Sequence, residues 1–100
     1  MQKGNFDSLI SGAQLVLIDF HAVWCGPCKA LKPILEDVKN TLGDSVRIIK
    51  VDVDKNPNLA RRFSVSGVPT LMLFKNGNSI WRQSGVVPAN QITQIIQANL

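Results

Sequence analysis

Tyrosine is absent from this 100-residue sequence, histidine occurs once and cysteine twice. Aromatic packing therefore has to come from four Phe and two Trp. The two cysteines sit together in Trp24-Cys25-Gly26-Pro27-Cys28, so they cannot form a framework of distant disulfides. Nor can two Cys and one His complete a tetrahedral metal site within one chain. A metal would need two chains sharing Cys25 and Cys28. Long hydrophobic runs are missing as well. No window reaches about 18 uninterrupted apolar residues, so neither a transmembrane helix nor a membrane partner is expected. No apolar stretch of signal-peptide length precedes Asp7, which points to a cytoplasmic location. Charge of one sign never accumulates along the chain. Eleven Lys and Arg against seven Asp and Glu give +4, and Arg61-Arg62 is the longest basic run. With basic residues scattered in this way, no nucleic-acid stripe is expected.

What is present describes one domain over residues 1–100, since hydrophobic residues are 45% and charged residues 18% of the chain. Asn5 is positioned to cap a short helix carrying Phe6, Leu9 and Ile10, with Gly12 stopping it. Leu15 to Phe20 is a nearly continuous apolar run, the pattern of a strand buried on both faces. After Cys25 the period becomes helical, with Cys28, Leu31, Ile34, Leu35, Val38 and Leu42 on one face and Gly43 as the stop. Pro33 falls inside this helix and predicts a kink. Val46 to Val53 is a β-branched run, and Asn58 to Phe63, after Pro57, is a short helix. Thr70 to Phe74 is a third strand, turned by Asn76-Gly77 into a fourth over Ser79 to Ser84. Ala89 to Leu100, following Pro88, forms the last helix. These elements alternate as an α/β sandwich around a mixed central sheet.

The Cys motif stands at the C-terminal end of the most apolar strand and opens the next helix. Spacing of i, i+3 at a helix start brings both sulfurs to one face, close enough for a disulfide with small adjustment. Cys25 lies where free N–H groups and the positive end of the helix dipole favour thiolate over thiol, which suits a nucleophile. Cys28, one turn further in and expected to be the less exposed, suits the resolving role. Pro27 is restricted in φ and Gly26 leaves room for another chain to approach. Two half-buried cysteines without a role, and a metal-bridged dimer, are the competing readings.

The stretch Val16 to Lys29, centred on Trp24-Cys25-Gly26-Pro27-Cys28, resembles the active-site segment of the thioredoxin family. Gly67-Val68-Pro69-Thr70, Phe74-Lys75-Asn76-Gly77 and Gly85 follow at the family's usual distances. The resemblance covers Phe6 to Leu100. It implies the thioredoxin fold, with Cys25 attacking a substrate disulfide and Cys28 releasing the mixed disulfide. It implies that Asp19 is the buried carboxylate that moves a proton for Cys28, its pKa raised by burial, and that Lys50 is the lysine near it. A solvated strand-end charge for Asp19 and an ordinary edge lysine for Lys50 are the alternatives. Pro69 matches a proline preceded by a cis bond, and Val68 the residue whose backbone pairs with substrate as an added strand. Trp24, Gly85 and Val86 match the apolar rim around the dithiol, although Trp24 could also be core.

Two departures stand out. His21 replaces an aromatic residue usual in the family, so it either tunes the site or is a packing substitution. The family's first strand is short or absent here, leaving a central mixed sheet of four strands flanked by helices. The Val46–Val53 strand should then be an edge, covered by at most two or three N-terminal residues and blunted by Arg47, Lys50, Asp52 and Asp54, in a monomer. The function implied is a protein dithiol–disulfide oxidoreductase with no bound cofactor, acting on disulfide-containing proteins. Its electrons would come from NADPH through a flavin-dependent thioredoxin reductase. Gly-Pro between the cysteines favours a reductase over an isomerase, and a non-catalytic subunit of the same fold is the remaining alternative.

Overall fold

The computed structural model describes residues 3–100. Helix α1 (Lys3–Ile10) leads into strand β1 (Leu15–His21), helix α2 (Gly26–Leu42), a 3-10 turn at Gly43–Ser45 and strand β2 (Val46–Asp52). Helix α3 (Pro57–Arg62), the hairpin of β3 (Thr70–Lys75) and β4 (Asn78–Ser84), and helix α4 (Ala89–Ala98) complete it. Among the described residues the sheet has four strands in the order β2-β1-β3-β4. β1 runs parallel to β2 and antiparallel to β3, which makes the sheet mixed, as expected.

β1 lies between two other strands and beneath helices on both faces, so six of its seven residues are buried. That is why its sequence is almost uninterrupted hydrocarbon. Alternate side chains of β1 enter two different cores. Leu15 and Leu17 join Leu31, Leu35 and Val38 of α2 and Ile92 and Ile96 of α4 in an aliphatic cluster. Val16, Ile18 and Phe20 face Phe6 of α1, Leu59 of α3 and Phe74 of β3. The second core is the aromatic one. Phe6 and Phe74 meet edge to face at 6.0 Å, and Phe63 stacks at a tilt on Phe6 at 5.3 Å. All four Phe are thus gathered on one side of the sheet, which supplies the aromatic packing that the missing Tyr cannot.

The hairpin turns at Asn76 (φ 53°) and Gly77 (φ 81°), both in the left-handed region that Asn and Gly tolerate best. Several boundaries differ from the sequence reading. Asn5 lies inside α1, which starts at Lys3. Burial of Phe6 and Ile10 one turn apart holds that helix together, and this outweighs the capping preference of a single exposed Asn. β2 stops at Asp52 because the Asp52 carboxylate turns the chain, accepting the amides of Asp54 (2.8 Å) and Lys55 (3.2 Å). Asp52, at the strand's end, and Asp54 therefore serve the turn and do not blunt the β2 edge; Arg47 and Lys50 remain exposed on that strand. α3 includes Pro57 and ends at Arg62, and α4 ends at Ala98. Pro33 lies within α2, which continues past it to Leu42. β2 is an edge strand among the described residues. Residues 1 and 2, to which part of the expected edge cover falls, lie outside those described. No described helix is long and apolar enough to cross a membrane.

Candidate active site

Cys25 and Cys28 are joined in a disulfide, their Cα atoms 5.3 Å apart. Cys25 is the N-cap of α2, in extended conformation at φ −91° and ψ 113°, and its Sγ accepts the amide N–H of Cys28 at 3.1 Å. The sulfur therefore occupies the place of a capping oxygen, satisfying one of the orphan donors of the first turn. An N–H aimed at Sγ and the positive helix terminus both stabilise negative charge there once the disulfide is opened. Pro27 follows within the first turn, where a missing N–H costs no hydrogen bond.

Both cysteines are buried, Cys25 at 4% exposure and Cys28 at 9%. The expectation that Cys28 would be the less exposed of the two residues is not met. Its cause is the loop before β3, which places the carbonyl oxygen of Val68 only 3.6 Å from Cys25 Sγ. In the disulfide neither sulfur carries a proton, so this is a packing contact. The Val68–Pro69 bond is cis, as expected, and Pro69 is buried. Two groups hold this loop. Thr70 Oγ1, fully buried, donates to the Gly67 carbonyl at 2.7 Å and meets Ser84 Oγ at 3.0 Å. The amide of Gly85 donates to the Pro69 carbonyl at 2.9 Å, and Gly85 adopts φ 91°, a conformation open to glycine. Gly85 is thereby tied to the loop that faces Cys25, and Val86 beside it is 45% exposed.

Trp24 is not core. Its side chain is 68% exposed, and its indole Nε1 donates to Asp54 Oδ2 at 2.7 Å. Trp24, Val53, Val65, Ser66, Gly67 and Val68 enclose a cavity of about 100 Å³ on this side of the dithiol. Asp54 was not singled out for this role from the sequence; a lone surface Asp carries no signal until the fold brings it to Trp24. Thr70 entered the sequence reading as the end of the Gly67-Val68-Pro69-Thr70 motif and the start of a strand, with no role for its hydroxyl.

On the other side of the dithiol the chemistry changes. A cavity of about 290 Å³ is lined by Asp19, His21, Cys28, Lys29, Lys32 and Lys50, with Ala22 and Val23 at its edge. Asp19 is 3% exposed, and its Oδ1 has no hydrogen-bond partner among the described residues. Burial pushes its carboxyl pKa up, while His21 and Lys50 pull the other way. Lys50 sits directly across from Asp19 in the β1–β2 register, exposed and without an ion pair among the described residues. His21 follows Asp19 by two residues on the same strand and lines the same cavity. The structure thus gathers Asp19, Lys50, His21 and Cys28 at one place, and Trp24, Val68, Pro69 and Gly85 at another. No cluster of three or more His, Cys, Asp or Glu that could hold a metal ion occurs among the described residues.

Comparison with known proteins fits this geometry. The thioredoxin family model matches residues 1–98. Thioredoxin Y, a chloroplastic protein of Oryza sativa, is 41% identical over 97 residues, covering 96% of this chain and 58% of that protein. A thioredoxin of Chlamydia trachomatis is 46% identical over 95 residues, covering 95% of this chain and 90% of its own. Among solved structures, a mutant thioredoxin of Halobacterium salinarum superposes with a TM-score of 0.89 at 33% identity, covering 99% of this chain and 86% of that one. This chain therefore spans little more than half of the chloroplastic relative and nearly all of the other two. On the match of the family model and these identities, with the disulfide at the helix start, the chain belongs to the thioredoxin family.

Proposed function

We propose that the chain reduces disulfides in other proteins by dithiol–disulfide exchange. The observation that carries this reading is the capped disulfide itself. Cys25 Sγ lies at a helix N-terminus, with a loop carbonyl beside it and the exposed Trp24 next in the chain. In the reduced protein the Cys25 thiolate attacks one sulfur of the substrate disulfide. The substrate S–S bond breaks, its other sulfur leaves as a thiolate and takes up a proton, and a mixed disulfide joins Cys25 to the substrate. Cys28 then gives up its proton and attacks Cys25 Sγ, expelling the substrate's remaining thiolate. Two electrons have moved, and the protein is left in the oxidised form described above.

Asp19 is the base for the second step. It lines the cavity reached by Cys28, and its raised pKa brings it nearer to a thiol's than an exposed carboxylate would be. Lys50 offsets the charge that Asp19 carries before it takes the proton from Cys28. On the opposite side, Trp24, Gly26, Pro27, Val68, Pro69, Gly85 and Val86 form the surface that receives an extended substrate segment, with the Val68 backbone available to pair with it. The electrons return from NADPH through a flavin-dependent thioredoxin reductase, and the chain acts as a monomer whose β2 edge carries Arg47 and Lys50. Reduction of insulin disulfides with NADPH and such a reductase tests the whole reading. Turnover that vanishes when either cysteine is replaced by Ser is expected. Turnover that survives loss of both would overturn the cysteine mechanism, and no turnover by the wild-type protein would overturn the reading in favour of a non-catalytic role.

A further inference from the structure

The basic residues that look scattered along the chain are not scattered in space. Lys29, Lys32 and Lys39 lie on one side of α2, and Arg47 and Lys50 stand on β2 beside it. The cavity next to Cys28 holds Lys29, Lys32 and Lys50. A second cavity of about 260 Å³ adjoins it, sharing Lys32 and Lys50 and adding Lys39 and Arg47 over an apolar floor of Leu35 and Ile48. Five of the chain's eleven cations therefore line one continuous groove, against Glu36 as its one exposed acid. Lys39 is held in place, its Nζ donating to the Gly43 and Val46 carbonyls at 2.8 Å. Lys29, Lys32, Arg47 and Lys50 have no ion pair among the described residues, where Arg62 with Asp7 is the one salt bridge. Unpaired like charges this close repel one another, so the arrangement is stabilised by a negative partner.

We propose that the groove between α2 and β2 receives an acidic segment of the disulfide-bearing protein that reacts at Cys25. This rests on the oxidoreductase reading and adds to it the chemistry that selects the substrate. One end of the groove opens at Cys28, so a protein held at the dithiol has its neighbouring chain within reach of the cations. The groove has no Phe, Tyr or Trp among its lining, which leaves His21 as the one ring able to stack on a nucleobase, and its Leu35–Ile48 floor suits an amphipathic peptide carrying Asp or Glu. Nucleic acid is accordingly the disfavoured occupant.

The test uses two synthetic peptides with the same single-disulfide loop, one flanked by four Glu and the other by four Gln. At low salt the wild-type protein should reduce the Glu peptide with kcat/KM roughly tenfold above the Gln peptide, the scale on which steering charges act. Near 1 M salt, where the screening length is about 3 Å, the difference should vanish. Arg47→Glu should erase or markedly reduce the preference while leaving reduction of the Gln peptide unchanged, since Arg47 is exposed and lines only the second cavity, away from Asp19 and Cys28. Binding of a Ser-for-Cys version of each peptide to the oxidised protein, read by calorimetry, separates this proposal from its parent. If the Glu version binds in a salt-sensitive way and neither disulfide peptide is reduced, the groove stands and the oxidoreductase reading falls. If both peptides are reduced with equal kcat/KM at low salt, the groove proposal is overturned. A single-stranded oligonucleotide that displaces the Glu peptide at equal concentration would overturn the assignment to a protein partner.

Discussion

The two sides of the dithiol are built from different materials. On the Val68 side Cys25 is met by a backbone carbonyl, in a loop that continues into a buried proline, and the neighbouring Trp24 is an exposed indole held by Asp54. On the Asp19 side Cys28 opens onto ionisable groups and lysines. Main-chain groups recognise any extended peptide, because every residue carries the same N–H and C=O. Ionisable side chains instead move protons and answer to pH and salt. In the proposed exchange the comparison separates recognition from proton handling, and each half can be perturbed alone.

The largest expected effect comes from the sulfurs that join the halves. Cys25→Ser should abolish exchange entirely, whereas Cys28→Ser should still attack and accumulate a mixed disulfide with substrate, read by mass spectrometry. Equal trapping by both variants would remove the division of labour. Next is Asp19→Asn, which should slow exchange by roughly a hundredfold, the lower range for loss of a general acid or base. The same change should stabilise the fold near neutral pH, because Asn has no charge to bury where Asp19 must ionise. The sign follows from linkage. A carboxyl whose folded pKa is raised contributes fully below its unfolded pKa, and that contribution is lost as pH climbs through the folded value. Wild-type stability should thus decline across that window relative to Asp19→Asn, as denaturant melts at a series of pH values would show. A destabilised and fully active variant would contradict both halves.

Trp24→Ala acts on the recognition side alone. Truncating this exposed aromatic should raise KM and reduce kcat/KM by roughly tenfold, as for a contact residue at the edge of an interface, with the pH profile unchanged. Smallest is Asp54→Ala, which frees the indole without removing it. At an exposed site a hydrogen bond of this kind is worth about 0.5–1 kcal/mol, so a loss of roughly two- to fivefold is expected. A pH profile altered by either change would show that the two sides are coupled.

The parts legible in the sequence were those whose neighbours are close in the chain. β1 reads as a run of hydrocarbon because it is covered on both faces, and α2 reads by its three- and four-residue period because one face is buried. The Cys pair is a local motif capped by its own helix, and Asn76-Gly77 is a local turn. What stayed hidden depends on distant chain segments. Asp54 finds Trp24 across thirty residues, and Val68 covers Cys25 across forty-three. The capping preference of Asn5 failed for the same reason, since Phe6 and Ile10 answer to the sheet beneath them.

By itself the sequence determined the redox centre and the strand and helices that carry it. An i, i+3 pair of thiols at the end of an apolar strand has its chemistry written in local spacing and in the electrostatics of a helix start. Tertiary structure alone decided which cysteine is more covered, what surrounds the buried carboxylate and where five of the cations gather. Lys29, Lys32, Arg47 and Lys50 form a groove only because β2 pairs in parallel with β1 and so returns beside α2. Charge interacts through space over several ångströms, without regard to the order of residues along the chain. A sequence that spreads its cations evenly can therefore fold into a protein with one strongly basic face.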